Sequence, residues 1–233
     1  MTIPGKASFA GVTDWVFDLD NTLYPASCNL FAEIDQRMTG FIETLLDLDY
    51  DSARKIQKGL YVEHGTTLAG LMREHDVDPH RFMEHVHEID LSKLTVEDGL
   101  RAALEALPGR KFVHTNGSVR HAENVLGALG LTGVMDDVFD VEMGGWIPKP
   151  YRQNYDLSRQ HFGLDPAKAA MFEDMAVNLE VPHADGMTTV LVTTDAPWIA
   201  DEPAEKRPGA SADAEHVHHT TGDLVAFLRD IAG

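Results

Sequence analysis

Five short apolar runs, each closed by polar residues, constrain this chain more than any other feature. They read "WVFD", "KFVH", "DVFDVEM", "KAAMFED" and "TTVLVTTD", and they predict strands at about Trp15–Asp18 and Lys111–His114 and around residues 137–143, 168–174 and 188–195. Such runs, bounded by turn residues, suit strands buried on both faces. Helical patterns separate them. "VRHAENVLGALGL" sets Val119, Ala122, Val125, Leu126 and Leu129 on one stripe, with Gly130 as its stop. "RQNYDLSRQHFGL" predicts another helix, and "NLEVPHADG" a short or kinked one because of Pro182. Alternation at this spacing predicts an α/β, doubly wound parallel sheet. In such sheets the working groups gather beyond the carboxyl ends of the strands.

One segment breaks the alternation. From about Asn29 to Glu88 only helical patterns occur, with Leu30, Ile34, Met38, Phe41, Ile42, Leu45 and Leu46 at helical spacing in the first. Asp51 and Asp78 are the expected N-caps of later helices, and Pro79 suits a first helical position. The stripe of Leu30, Ile34, Met38 and Phe41 reads as the core of this insert and not as a ligand pocket. The division expected is a core of residues 1–24 and 96–233 with a small all-helical domain at 25–95, compact enough to act as a lid. The tail "DAPWIADEPAEKRPGASADAEH" reads as a long loop before a final helix, "TGDLVAFLRDIAG".

Charge narrows the function. Nineteen Lys and Arg against 38 Asp and Glu give a formal net charge of −19, which argues against binding a nucleic-acid polymer or an anionic membrane. The single cysteine, Cys28, excludes an intrachain disulfide and a cysteine-built zinc site. With no apolar leader and no membrane-length window, a cytoplasmic protein is expected. Oligomeric state is not legible.

Four polar groups close predicted strands or the loops after them: Asp18 with Asp20, Thr115 with Asn116, Lys149 before Pro150, and Glu173 with Asp174. Singly, each is an ordinary turn or loop residue. In sequence order the set resembles the haloacid dehalogenase superfamily. Asp18-Leu19-Asp20-Asn21-Thr22 matches its Asp-x-Asp-x-Thr motif, Thr115 in "KFVHTNGS" its second, Lys149 in "IPKP" its third and Glu173-Asp174 in "MFEDMAVN" its fourth. The resemblance implies a Rossmannoid core with a type 1 helical cap and hydrolysis of a phosphate monoester. Asp18 would be the nucleophile and Asp20 the general acid and base. Mg²⁺ would be held by Asp18, the backbone carbonyl of Asp20 and Asp174. Lys149 would neutralise the nucleophile and a phosphate oxygen, and Thr115 with the amides near Asn116 would hold another oxygen.

Dehalogenases of the superfamily lack the second aspartate, so Asp20 favours phosphoryl transfer. "DLDNTLY", "TNGSVRHAENVLGALGL" and "FEDMAVNL" are similar to the pyrimidine 5′-nucleotidase branch, which implies a nucleoside monophosphate such as UMP or CMP as substrate. Phosphoglycolate or a sugar phosphate is the alternative with the same mechanism, and an acidic scaffold without turnover is a third reading. Around this set, Asn178 is expected to order the Asp174 loop or cap a helix. Tyr24 would line the phosphate entrance or pack a hinge, and His64 would face the site from the insert. The histidines of "REHDVDPHRFMEHVHE" and "EHVHHTT" invite a zinc reading, but they form no defined ligand set and the carboxylates among them mark solvated helix faces.

Overall fold

The computed structural model describes residues 9–94, 96–202 and 207–232. Residues 1–8, assigned above to the core, and 203–206 of the expected tail loop lie outside the described residues. The strands are β1 (Asp14–Phe17), β2 (Arg110–His114), β3 (Asp137–Phe139), β4 (Ala169–Glu173), β5 (Thr188–Val192) and β6 (His219–Thr221). They form one sheet in the order β3-β2-β1-β4-β5-β6, with every pairing parallel. The first five match the apolar runs. β6 is an addition, lying between the expected tail loop and the final helix, where no strand was expected.

Residue alternation divides the sheet's side chains between two cores, as the twofold period of a strand requires. Trp15, Phe17, Val113, Phe172 and Val190 point into one apolar cluster. Val16, Phe112, Met171 and Leu191 point into the other. Helices α5 (Leu100–Ala106) and α6 (Val119–Ala128), with the C-terminal α9 (Leu224–Ala232), cover the first face. Helix α7 (Arg152–Phe162) and the short α8 (Glu180–Asp185) cover the second. Val119, expected on the buried stripe of α6, is instead 41% exposed at its first turn. Its place on the inner face is taken by His121, which is 2% exposed.

Between β1 and α5 the chain forms α1 (Leu30–Leu46), α2 (Tyr50–His64), α3 (Thr67–His75) and α4 (Pro79–Val86). Local capping explains their limits. Asp49, not Asp51, caps α2 by accepting from the Ser52 N–H, Thr66 caps α3, and Asp78 caps α4 with Pro79 at its first turn. Ile34, Phe41, Ile42, Leu60, Leu71, Phe82 and Val86 make an apolar cluster of their own. Leu30, expected in that cluster, belongs to the main core, whereas Ile34 and Met38 line the cavity described below.

Buried Asp35 on α1 accepts from Arg54, Gln57 and Lys58 of α2 at 2.7, 2.5 and 2.8 Å. Lys58 also reaches across to Glu202 at 2.8 Å. Its one ammonium therefore ties the four-helix insert to the loop after β5. Among the described residues no helix is long and apolar enough to cross a membrane.

Candidate active site

Strand order reverses at β1, which has β2 on one side and β4 on the other. A parallel sheet opens a crevice at the carboxyl ends of the strands at such a point. Phe17 is in register with Val113 and with Phe172, so the residues one step on, Asp18, His114 and Glu173, end their strands at one level. The Asp18 N–H bonds the Phe172 carbonyl at 2.8 Å and fixes that level.

Into this crevice the loop after β3 brings Lys149, which is 2% exposed. Its Nζ donates to Asp18 Oδ1 at 2.6 Å, to Glu173 Oε1 at 2.7 Å and to the His114 carbonyl at 2.8 Å. An ammonium has three donors, and all three are spent. Lys149 is thus committed to the two carboxylates, and the expected bond to a phosphate oxygen would have to displace one of these. The position of Lys149 is set by Asn116, whose side-chain amide bonds the Lys149 backbone N–H at 2.7 Å and carbonyl at 3.2 Å. The Asn116 side chain is therefore a clamp on the lysine loop. Thr115, buried beside it, accepts from the Gly117 N–H at 2.9 Å, so this amide is already paired.

Both oxygens of Glu173 are engaged. Its Oε1 also accepts from Asn178 Nδ2 at 2.7 Å, and its Oε2 from the Met175 N–H at 2.8 Å. Asn178 therefore orders the acidic pair and caps no helix. Asp174 accepts a long bond from Asn21 Nδ2, at 3.3 Å.

Three buried carboxylates, Asp18, Glu173 and Asp174, thus offer oxygens within 4.8 Å of one another against a single ammonium. Two like charges about 4 Å apart repel by ~4 kcal/mol at an effective dielectric of ~20. The imbalance shows in the acidities. Burial pushes the Asp18 carboxyl up to about 7, with Lys149 opposing and Glu173 and Asp20 reinforcing the rise. Burial, Glu173 and Asp18 together raise Asp174 well above the usual carboxylate range. Lys149 goes the other way: burial opposes its charge, but Asp18 and Glu173 hold its proton more firmly than usual. An excess of hard, anionic oxygen donors is what a divalent cation such as Mg²⁺ satisfies. The donor set fits such an ion.

Asp20, two residues on, occupies different surroundings. Tyr24 Oη donates to its Oδ1 at 2.6 Å, and His121 Nε2 lies 2.9 Å from the same oxygen. Burial alone would raise this carboxyl. His121, by charge and hydrogen bond, and the Tyr24 hydroxyl outweigh it and bring the group down to about 2. The ring of His87, at the end of α4, stacks on His121 with centroids 4.1 Å apart and planes 8° from parallel. Burial, and then the neighbouring His121, lower His87 to about 3. Tyr24 is itself buried, and its hydroxyl works on Asp20 instead of lining an entrance.

Above these groups lies a cavity of about 170 Å³ bounded by Asp18, Asp20, Thr115, Lys149 and Asp174. The insert and the loop after β5 supply further walls, among them Phe31, Tyr61, Thr66 and Trp198. Phe31 and Trp198 stack with centroids 6.1 Å apart, one from each side of the junction. His64 is absent from these walls. Its ring turns to Glu74, 2.6 Å away within the insert, and only its carbonyl meets Tyr151. His121 and His87 are the site residues that the motifs did not reveal. His121 did leave a signal, since it lies four residues before Val125 and so on the buried face of its helix.

A family model described as haloacid dehalogenase-like hydrolase matches residues 16–182. Phosphate metabolism protein 8 of Saccharomyces cerevisiae is 26% identical over 194 residues, 75% of this chain and 60% of the yeast protein. The chain thus spans less than two thirds of that relative's length. Among solved structures, a HAD phosphatase from Thermococcus onnurineus superposes with a TM-score of 0.62 at 17% identity, covering 95% of this chain and 98% of that one. The L-2-haloacid dehalogenase of Xanthobacter autotrophicus gives 0.60 at 15% identity, covering 95% and 99%. A HAD family hydrolase from Deinococcus radiodurans R1, with bound phosphate and sodium, gives 0.56 at 22% identity, covering 94% of each chain. At such identities these structures speak for the fold.

Proposed function

The chain belongs to the haloacid dehalogenase-like hydrolases, and from that premise we propose that it hydrolyses a phosphate monoester through a phosphoryl group carried on Asp18. The observation that carries this reading is the pairing of Asp18, bonded to Lys149 inside a carboxylate cluster, with Asp20, which has separate donors of its own. A carbon–halogen hydrolase has no leaving oxygen that needs a proton, and hence no work for a second carboxylate in that place.

In the proposed reaction an oxygen of Asp18 attacks phosphorus, and the bond to the leaving oxygen breaks. Asp20 gives that oxygen its proton. Asp20 then takes a proton from water, whose oxygen attacks the same phosphorus and releases Asp18 and inorganic phosphate. Mg²⁺, held by Asp18, Asp174 and the carbonyl of Asp20, would supply charge neutralisation for the phosphoryl oxygens. Glu173, with its oxygens engaged, orients Lys149 and the loop bearing Asp174. Thr115 stands at the cavity wall as the hydroxyl for a phosphoryl oxygen. We assign the four helices between β1 and α5 to a cap, with boundaries near residues 25 and 95, that closes the crevice over the substrate.

A pyrimidine nucleoside monophosphate remains the favoured substrate, supported by the motif resemblance of "DLDNTLY", "TNGSVRHAENVLGALGL" and "FEDMAVNL". The size of the cavity favours a second reading. About 170 Å³ is below the ~300–1,000 Å³ usual for ligand pockets, so a smaller ester fits the seated cap better. A phosphate-release screen with Mg²⁺ decides between them. UMP and CMP should be hydrolysed faster than AMP and phosphoglycolate; the reverse order would discard the nucleotidase reading, and release from no ester would discard the phosphatase.

A further inference from the structure

Asp20 and His121 are 101 residues apart in sequence and meet through a particular piece of architecture. Ser118 is the N-cap of α6, and its Oγ accepts from the His121 N–H at 3.3 Å, which sets the first turn and the direction of the ring. The same hydroxyl meets His87 Nδ1 at 3.1 Å. One serine thus registers both imidazoles, one from the core and one from the insert. Gly117 leaves them room: a Cβ there would stand 3.3 Å from His121 Cδ2 and 3.6 Å from His87 Cε1.

Both donors to Asp20 converge on Oδ1, while Oδ2 accepts no hydrogen bond from the described residues. A carboxylate held at one oxygen by two donors from different directions loses its freedom to rotate, and the other oxygen is aimed. We propose that His121 is a positioning residue for the acid–base step. With Tyr24 it pins Oδ1 so that Oδ2 is the atom exchanging protons with the leaving oxygen and then with water, and the stacked His87 completes this alignment when the insert is seated. The inference rests on the phosphatase reading. It adds that proton transfer is made dependent on the insert's position through a ring stack instead of through a bond to the substrate.

Leaving-group dependence separates positioning from structural support. An alkoxide leaves poorly and needs the proton from Asp20, whereas 4-nitrophenolate leaves without it. The parameter kcat/KM reports only the steps through phosphoryl transfer to Asp18 and so isolates this difference. With Mg²⁺ present, His121→Phe should lower kcat/KM for an alkyl phosphate by about 100-fold and for 4-nitrophenyl phosphate by less than about fivefold. His121→Gln, which restores a donor, should recover the alkyl ester to within about tenfold of the wild type. His87→Ala should reproduce the selective loss at about tenfold, and His87→Phe, which keeps a stacking ring, should reverse it. Should His121→Phe fail to fold, Tyr24→Phe removes the other donor to Oδ1 and should show the same selectivity. Equal losses on both esters, or an unchanged alkyl ester, would overturn the positioning role. Failure of the wild type to hydrolyse either ester would overturn the phosphatase reading beneath it.

Discussion

Asp18 and Asp20 are separated by one leucine, yet the two halves of the site treat them in opposite ways. The strand-end half surrounds Asp18 with carboxylates and one shared ammonium, and its carboxyl rises to about 7. The helix-side half gives Asp20 a tyrosine and a histidine of its own, and its carboxyl falls to about 2. This is the reverse of the order that the proposed reaction needs, in which Asp18 is ionised and Asp20 carries a proton. In the proposed reaction, loading the site would reverse it. A divalent cation among the strand-end oxygens would favour the ionised form of Asp18, and a phosphate dianion beside Asp20 would favour its protonated form. The difference teaches that the repeated aspartate is not a duplicated function. One half of the site sets three carboxylates against a single ammonium, and the other is already furnished with donors.

The comparison breaks most sharply by removing one charge from each half. Asp18→Asn should lower turnover of every ester by at least about 10⁴-fold with the fold intact. Asp20→Asn should cost about 10²–10³-fold, concentrated on esters with poor leaving groups. Steady-state kinetics on alkyl and aryl phosphates, with circular dichroism as the folding control, checks both. Equal, leaving-group-blind losses would erase the distinction between the two carboxylates.

A smaller effect tests the claim that the strand-end half is held by one cation. Lys149→Met leaves Asp18 and Glu173 buried without their ammonium, and breaking a buried pair in this way costs about 3–5 kcal/mol. Urea unfolding without metal should show that loss, and saturating Mg²⁺ should recover part of it. A variant as stable as the wild type would mean that the carboxylates are neutral without help.

The smallest effect is carried by pH. His114, 1% exposed beneath the cluster, is lowered to about 3 by burial and then by the Lys149 ammonium. The unfolded chain takes up this proton near pH 6.5 and the folded one only near 3, so stability is lost as pH falls through that window. The slope is at most about 1.4 kcal/mol per pH unit. His114→Gln should remove that share. Urea midpoints at pH 7 and 5 should therefore diverge less in the variant than in the wild type.

The strand-end half was the legible half. Its residues lie at the ends of apolar runs, and a parallel sheet brings such ends together whatever the helices do, so Asp18, Thr115, Glu173 and Asp174 followed from local pattern and fold class. Lys149 followed from the motif order alone. The helix-side half depends on a contact across 101 residues and on ring orientation, neither of which periodicity encodes. His87 was therefore grouped with the other histidines of its segment, and His121 went unremarked in the helix that carries it. β6 was hidden for a related reason. His219–Thr221 is a three-residue polar edge strand in a loop-like tail, and it pairs only because Val190–Val192 offers a free edge. Asp49 took the cap expected of Asp51 because the helix begins at Tyr50, which leaves Asp51 inside the first turn.

The most direct measurement is chemical trapping of the covalent state. Protein turning over substrate with Mg²⁺ is quenched with borohydride, which reduces an acyl phosphate to an alcohol, and the chain is mapped by peptide mass spectrometry. The account predicts reduction at Asp18 alone, present only when substrate and Mg²⁺ are both supplied. Vigorous phosphate release with an unreduced Asp18, or with the label on another residue, would contradict it.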